Sequence, residues 1–238
     1  MQMGIFYGIG VGPGDPELIT IKGARILAQC RHVFVPKTRM EKKSTALAIA
    51  KRYLGSVSEI HELVFPMTND RAELEQHWEE AGVRIAAVIR GGDDACFLTL
   101  GDPLLYSTYI YLLRVLRKHV PGIEVTTVPG VTSFNAAAAL TEFAVGEGSE
   151  SVHVVPTADN IDTVREALNS GGTVILMKIG KHLGKVLDLL EELGLLDKAV
   201  FVSRAGMEGQ YIEPNLRKLH DHGSEASYFS IMLVHTGR

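Results

Sequence analysis

Short apolar runs alternate along the chain with longer segments in which apolar residues recur every three or four positions. This order is typical of α/β units with a largely parallel sheet. In the first part of the chain we predict strands at Ile5–Ile9, Val33–Val35, Ile60–Leu63, Ala95–Leu100 and Glu124–Val128. The helices predicted between them are Ile21–Ala28, Ser44–Tyr53, Ala72–Ile85, Thr108–His119 and Thr132–Leu140.

A second series of the same kind follows a polar, glycine-rich stretch at Val145–Ser149. Its predicted strands are Val152–Val155, Val174–Met177, Val200–Val202, Gln210–Ile212 and Phe229–His235, and its predicted helices are Ile161–Asn169 and Leu183–Leu193. We therefore predict two α/β domains, 1–144 and 145–238, on either side of a cleft in which a small molecule binds.

Composition and charge narrow the possible partners. The 238 residues carry a formal net charge of −4, which argues against general nucleic-acid binding because such binding needs a basic face. No apolar run is long enough to cross a membrane, and the N-terminus does not resemble a secretory signal, so we expect a cytoplasmic protein. The two cysteines, Cys30 and Cys96, are predicted to be buried thiols, and we expect no metal site because the nine histidines show no metal-ligand spacing.

The glycine-rich segment after the first strand, Gly8-Ile9-Gly10-Val11-Gly12-Pro13-Gly14-Asp15-Pro16, does not match a dinucleotide-binding loop. Neither possible register places glycine at all three required positions, and no acidic residue follows at the distance needed to bind a ribose. Asp15 before Pro16 is typical of a helix start, where its carboxylate would repel a pyrophosphate. The glycines instead indicate a sharp turn that lets a flat ligand approach the backbone; a tight turn without a ligand is the alternative.

Two further turns follow strands at their carboxyl ends, where α/β sheets bind ligands. The first is Leu98-Thr99-Leu100-Gly101-Asp102-Pro103-Leu104-Leu105-Tyr106-Ser107, and the second is Val128-Pro129-Gly130-Val131-Thr132-Ser133. Each turn alone is a common one. In this order, together with the glycine-rich opening and Ile175-Leu176-Met177-Lys178, they resemble the tetrapyrrole methylases, the class III S-adenosylmethionine methyltransferases. That resemblance spans nearly the whole chain and implies two α/β domains flanking a cleft.

Within that family, several stretches resemble the branch that methylates carbon 20 of precorrin-2 or cobalt-factor II in cobalamin biosynthesis. They are Val64-Phe65-Pro66-Met67, the segment Phe97–Tyr109 and Tyr228-Phe229-Ser230. Ser107 stands where the usual family pattern has glycine after the tyrosine, as in that branch. The alternatives are another family member, such as a uroporphyrinogen III or different precorrin methyltransferase, and a non-catalytic nucleotide-binding module.

The resemblance also implies which residues hold the cofactor, S-adenosylmethionine, and its product S-adenosylhomocysteine. The implied contacts are Gly101, Asp102, Leu105, Tyr106, Thr132, Ser133, Met177, Ala205, Gly206, Met207, Ser230 and Ile231. Asp102 is a candidate partner for the ammonium of the cofactor. No clear catalytic base is present; Asp102 and Tyr106 are the candidates.

The implied substrate is a reduced tetrapyrrole with several carboxylate arms, which favours basic groups around its site. The candidates for substrate binding are Gly12, Pro13 and Gly14 of the glycine-rich loop and the basic residues Lys37, Arg39, Lys178 and Arg204. Basic residues that follow a strand, such as Lys37 and Arg39, are also compatible with an ordinary solvated loop. The resemblance further implies a homodimer.

Overall fold

A computed structural model describes residues 2–38, 44–221 and 226–237. The chain forms two compact units, Met1–Thr132 and Ser133–Arg238, which are described in turn. The strands of the first unit are β1 (Phe6–Gly10), β2 (His32–Lys37), β3 (Glu59–Val64), β4 (Ala95–Thr99) and β5 (Val125–Val128). Its helices are α1 (Ile21–Gln29), α2 (Thr45–Ala50), α3 (Arg71–Arg90) and α4 (Tyr109–His119).

The sheet of the first unit is parallel throughout, in the order β3-β2-β4-β1-β5. Buried side chains on one face, such as Ile9 and Val33, pack with α1 and α2, while Phe6 and Phe97 on the other face pack with α3 and α4. Successive side chains of a strand point to opposite faces, so a strand covered on both sides is apolar at almost every position. This explains the continuous apolar runs in the sequence.

Local capping explains where several helices begin. The Thr20 hydroxyl accepts a hydrogen bond from the backbone N–H of Gly23 at the start of α1, and the Asp70 carboxylate accepts one from Ala72 at the start of α3. Helix α3 runs to Arg90, beyond the predicted end at Ile85, and stops at Gly91. The extension is apolar on nearly every side, which hides the helical period in the sequence.

The second unit contains β6 (Val152–Val155), β7 (Thr173–Met177), β8 (Ala199–Ser203), β9 (Tyr211–Glu213) and β10 (Ser230–His235). Its helices are α5 (Ser133–Thr141), α6 (Ile161–Asn169) and α7 (Leu183–Glu192). The sheet has the order β6-β7-β10-β8-β9, and one face is covered by a core to which α6 and α7 contribute Val164, Leu168, Val186 and Leu190. Helix α5 packs against β10.

The α/β class is confirmed, but the second sheet differs from the expected largely parallel arrangement. Only β6 and β7 pair in parallel, whereas β10 lies antiparallel between β7 and β8, and β9 is antiparallel to β8. An apolar strand pattern carries no information about direction, so the sequence could not distinguish the two cases. The division between the units also falls one helix before the predicted boundary after residue 144, because α5 packs with the second sheet.

Both cysteines are buried and free, as predicted. Burial raises the pKa of the Cys96 thiol, so it stays protonated and unreactive. Among the described residues, no helix has the length and apolar character that a membrane crossing requires.

Candidate active site

The first group of candidate residues lies at the carboxyl edge of the parallel sheet. The connection that leaves β1 runs towards β2, and the connection that leaves the neighbouring strand β4 runs towards β5, in the opposite direction along the sheet. Such a reversal opens a crevice beyond the strand ends, where ligands of α/β sheets bind. The glycine-rich loop follows β1 and the Gly-Asp-Pro turn follows β4, so both motifs lie at this position.

Three glycines bring the loops after β1, β4 and β5 into direct backbone contact. A Cβ atom on Gly130 would lie 2.1 Å from the carbonyl oxygen of Gly101 and 2.9 Å from the carbonyl carbon of Gly10. A Cβ atom on Gly10 would lie 2.5 Å from the same Gly101 oxygen. Real Cβ atoms do not approach backbone so closely, so these positions need glycine for space. The result is a backbone junction without side chains, which we call the glycine junction.

Asp102 fastens the glycine junction. One carboxylate oxygen accepts a hydrogen bond from the backbone N–H of Leu104 at 2.8 Å, and the other accepts one from the N–H of Gly130 at 3.0 Å. The side chain therefore holds its own turn and ties it to the loop after β5. Its charge is used by backbone donors: the bond from Leu104 is typical of a Gly-Asp-Pro turn, whereas the bond from Gly130 was not predicted from the sequence.

Tyr106 and Ser107 connect this turn to α4. Tyr106 is 48% exposed and has a left-handed backbone with φ of 51°, while Leu105 is partly buried. The buried Ser107 hydroxyl shares a hydrogen bond of 2.7 Å with Thr99 and accepts the N–H of Tyr109 at 3.1 Å. A glycine at position 107 would lack both interactions, so this serine orders the turn before α4.

Tyr109 packs against strand β1 at Gly8. Its ring occupies the space in which a side chain at Gly8 would have to lie, 2.2 Å from a Cβ atom placed there. Its hydroxyl shares a hydrogen bond of 2.6 Å with Thr127 on β5. Burial raises the pKa of the Tyr109 phenol, so the hydroxyl stays protonated at neutral pH.

The candidate substrate-binding residues of the first unit have different surroundings. Gly12, Pro13 and Gly14 are buried, and the carbonyl of Gly12 accepts the N–H of Gly101 at 2.8 Å. Lys37 is the last residue of β2 and is buried, with its ammonium 2.5 Å from the Glu62 carboxylate. It is therefore not the exposed loop cation that the charge pattern suggested. Arg39 lies outside the described residues.

The second group of candidate residues lies at one edge of the second sheet. Strands β7 and β8 end there and β10 begins there, because β10 is antiparallel to both. Met177 pairs with Ile231, and Ser203 pairs with Ser230. Met177 is partly exposed and Ile231 is buried. Residues that are far apart in the sequence are thus adjacent along this edge, as a common site requires.

Three serines hold this edge together. The Ser203 hydroxyl lies 3.0 Å from that of Ser227 and 3.2 Å from that of Ser230, and the Ser230 hydroxyl also accepts the backbone N–H of Ser227. Ser230 is fully buried. Its side chain therefore fixes the start of β10. Ser203 and Ser227 were not identified from the sequence, which carries no local pattern that links them.

Lys178 and Arg204 both adopt left-handed backbone, with φ of 54° at each residue. They come directly after β7 and β8, and the Lys178 ammonium lies 5.6 Å from the centre of the Tyr228 ring. The turn after Arg204 is tight: the N–H of Met207 donates to the Arg204 carbonyl at 2.9 Å, and that of Gly206 donates to the Gln210 side chain at 2.8 Å. Ala205 in this turn is buried.

Backbone strain coincides with the candidate residues. In the described part of the chain, four residues other than glycine have positive φ, and Tyr106, Lys178 and Arg204 are three of them. Each such residue costs of order 1–3 kcal/mol, and such conformations cluster at ligand sites.

Thr132 ends the first unit and Ser133 begins α5, where both are partly buried.

These features define a class of α/β proteins in which candidate ligand loops follow the strand ends of two successive sheets. The chain belongs to the tetrapyrrole (corrin/porphyrin) methylase family, whose model matches residues 6–219. The family resemblance drawn from the sequence is thereby confirmed.

Similar proteins include methyltransferases whose names state the ring carbon that they methylate. The cobalt-precorrin-2 C(20)-methyltransferase of Salmonella typhimurium is 35% identical over 232 residues, covering 97% of this chain and 96% of the relative. The precorrin-2 C(20)-methyltransferase of a Sinorhizobium species is 27% identical over 240 residues, covering 98% and 95%. A crystal structure of uroporphyrin-III C-methyltransferase from Thermus thermophilus with S-adenosylhomocysteine has a TM-score of 0.67 at 20% identity, covering 98% and 97%, and so shares the fold.

Proposed function

We propose that this protein transfers a methyl group from S-adenosylmethionine to carbon 20 of precorrin-2, or of its cobalt derivative, in cobalamin biosynthesis. The observation that carries the proposal is the match over 97% of the chain to a cobalt-precorrin-2 C(20)-methyltransferase. The motif loops that follow the strand ends support it, since they supply backbone where a ligand of this fold binds.

The reaction needs neither a metal ion nor a covalent intermediate. Carbon 20 supplies the electron pair for the new carbon–carbon bond, the bond between the sulfonium sulfur and its methyl group breaks, and neutral S-adenosylhomocysteine leaves. A proton is then lost from carbon 20. Because the sulfonium is already an activated donor, the main task of the protein is to align the two reactants at near-attack distance.

The residues present fit the cofactor. Its adenine needs apolar surface and a few backbone hydrogen bonds, which buried Ala205 and Ile231 and the strand ends near Met177 offer. The glycine junction offers backbone to the remainder of the cofactor. We propose that these residues contact S-adenosylmethionine, with the implied residues Leu105, Tyr106, Thr132 and Ser133 among them.

We propose that Lys178 and Arg204 bind carboxylate arms of the tetrapyrrole. They directly follow β7 and β8, the strands on either side of β10, and both adopt left-handed backbone, a strained conformation that clusters at ligand sites. Asp102 is poorly suited to take the proton, because both of its carboxylate oxygens accept backbone N–H groups. We propose that water accepts the proton.

The main test is product analysis. The protein is incubated with S-adenosylmethionine carrying a ¹³C-methyl group and, in separate reactions, with precorrin-2, cobalt-precorrin-2 and uroporphyrinogen III. We expect one added methyl by mass spectrometry and its location on carbon 20 by NMR. A methyl on any other carbon, or turnover of uroporphyrinogen III alone, contradicts the proposal. The ratio of rates on the first two substrates shows whether the natural substrate carries cobalt.

A second test addresses the basic residues. Lys178→Ala and Arg204→Ala should each raise KM for the tetrapyrrole by roughly fivefold, since an exposed charge pair contributes up to about 1 kcal/mol. The affinity for S-adenosylhomocysteine should be unchanged. Lys185→Ala on α7 removes the same charge from an exposed helix position and serves as the matched control. A KM equal to that of wild type at low salt would remove these residues from the substrate site.

Oligomeric state and location in the cell are two further properties that we propose. We propose a homodimer, on the basis of the family resemblance, and sedimentation at micromolar concentration tests it; a monomer alone would contradict it. We propose a cytoplasmic location, which fractionation of the source cells tests.

A further inference from the structure

A cluster of metal-ligating side chains lies at the opposite end of the first sheet. His32 is the first residue of β2, Glu59 is the first residue of β3, and His61 follows two positions later on the same strand. In the register of the parallel pair, His32 faces Glu59 and Phe34 faces His61. Since alternate residues share a face, all three candidate ligands project from the same face of the sheet. His32 and Glu59 lie five residues, roughly 16 Å, from the carboxyl ends of their strands, and His61 lies three residues, roughly 10 Å, from the end of β3.

The potential ligand atoms are spaced as the corners of a small coordination polyhedron. His32 Nδ1 lies 3.1 Å from His61 Nε2 and 3.6 Å from Glu59 Oε2. All three ligand atoms lie within 4.8 Å of one another. A tetrahedral zinc ion with ligands at about 2.0–2.1 Å separates neighbouring ligand atoms by roughly 3.3 Å.

Neighbouring groups orient these ligands. Arg31 donates from Nε and Nη2 to one Glu59 oxygen, at 2.9 and 2.6 Å, which directs the other oxygen to the histidines. His32 Nε2 lies 3.5 Å from an Asp93 oxygen, so the carboxylate favours a proton on Nε2 and leaves Nδ1 to bind a metal. The ring of His61 stacks on Phe34 with centroids 4.6 Å apart, which fixes its plane.

We propose that His32, Glu59 and His61 form a zinc site that joins the N-terminal ends of β2 and β3, with water completing the coordination. Two imidazoles and a carboxylate are a common ligand set for zinc. The His32 side chain is 12% exposed and that of Glu59 is 46% exposed, so the site is anchored on the protein and open to solvent on one side. Its role is structural and separate from methyl transfer.

A neutral hydrogen bond between the two imidazoles is the competing explanation of the 3.1 Å distance. Calorimetry distinguishes the two. Chelator-treated protein without tetrapyrrole is titrated with ZnCl₂ at pH 7.5 in a buffer that does not bind zinc. We expect one equivalent bound with a Kd in the micromolar range or tighter. His61→Gln should weaken binding by at least tenfold, and Asp93→Asn by about 10–100-fold, which is usual for a group that orients a ligand.

His77→Gln, on α3 and outside the cluster, is the matched control and should bind zinc as wild type does. Glu59→Gln is a second variant should His61→Gln fail to fold, and it should also weaken binding. Zinc should raise the Tm of wild type, because a ligand bound only by the folded state stabilises it. Absence of binding at 100-fold excess zinc over protein, or equal affinity in wild type, Glu59→Gln and His61→Gln, would overturn the proposal.

Discussion

Replacing Asp102 by asparagine should destabilise the first unit although the two side chains have nearly the same shape. Asparagine keeps one carbonyl oxygen, which can still accept the N–H of Leu104. Its NH₂ group must then face the N–H of Gly130, so an accepting interaction becomes a meeting of two donors. Alanine removes both hydrogen bonds and should cost at least as much.

The magnitude follows from the hydrogen bonds seen at this carboxylate. A hydrogen bond to a charged group contributes about 1.5–3 kcal/mol, and the 3.0 Å bond to Gly130 is the one lost in Asp102→Asn. In a protein of this size, 1 kcal/mol corresponds to about 2–4 °C in Tm. We therefore expect Tm to fall by about 3–12 °C.

Calorimetric melting measures this change, and Asp15→Asn is the matched control. Asp15 accepts a single hydrogen bond through one oxygen, from Glu17 in the loop after β1, and asparagine can preserve it. We expect a Tm within about 2 °C of wild type for that control, since exposed surface changes rarely exceed about ±0.5 kcal/mol. An unchanged Tm in Asp102→Asn would refute the structural role.

Titration of the folded variants with S-adenosylhomocysteine then tests the second role of Asp102. If the carboxylate also binds the cofactor ammonium, Asp102→Ala should weaken affinity by about 1–3 kcal/mol. Unchanged affinity in the folded variant would remove Asp102 from the cofactor site while leaving its structural role intact.

Three further outcomes are expected from stability measurements. Gly130→Ala should lower the free energy of unfolding, measured with urea, by about 3 kcal/mol, because the new Cβ would collide with backbone. At Gly184 an added Cβ meets no atom within 4 Å, so Gly184→Ala should be neutral or stabilising. Glu62→Gln should lower the free energy of unfolding by about 3 kcal/mol, because it removes the carboxylate opposite a buried ammonium. Lys37→Met should cost less, because it leaves a half-exposed carboxylate that water can solvate. A larger loss in Lys37→Met than in Glu62→Gln would contradict this. Hydrogen bonds from neighbouring threonine, lysine and histidine side chains lower the pKa of Asp159 from 3.8 to about 2. The Tm of wild type should therefore be higher than that of Asp159→Asn at neutral pH, and the difference should disappear as the pH falls from 4 to 2.

Much of the fold is a consequence of local sequence pattern. Apolar runs such as Ala95–Leu100 have strand length, and amphipathic segments between them have the helical period, so element type and order were predictable. The glycine-rich opening and the Gly-Asp-Pro turn were also predictable as loops that directly follow strands β1 and β4. The residues at which helices and strands end were less predictable, as the extension of α3 to Arg90 illustrates.

Contacts between distant segments were decided by tertiary structure. The insertion of β10 between β7 and β8 depends on strand direction, which an apolar pattern does not encode. The burial of Lys37 goes with an ion pair to Glu62 of the adjacent strand, since a buried ammonium needs a partner of opposite charge. A charge pattern alone therefore predicted an exposed cation there.

The same distinction applies to the candidate sites. The sequence determined which loops follow strands and where glycine and aspartate occur, because these properties are local. It did not determine that Asp102 would accept the N–H of Gly130, or that His32 would meet His61 across two strands. Glu59 and His61, at alternate positions of one strand, were the only local signal of a shared face. Their partner lies on another strand, and only the register of β2 against β3 brings it within reach.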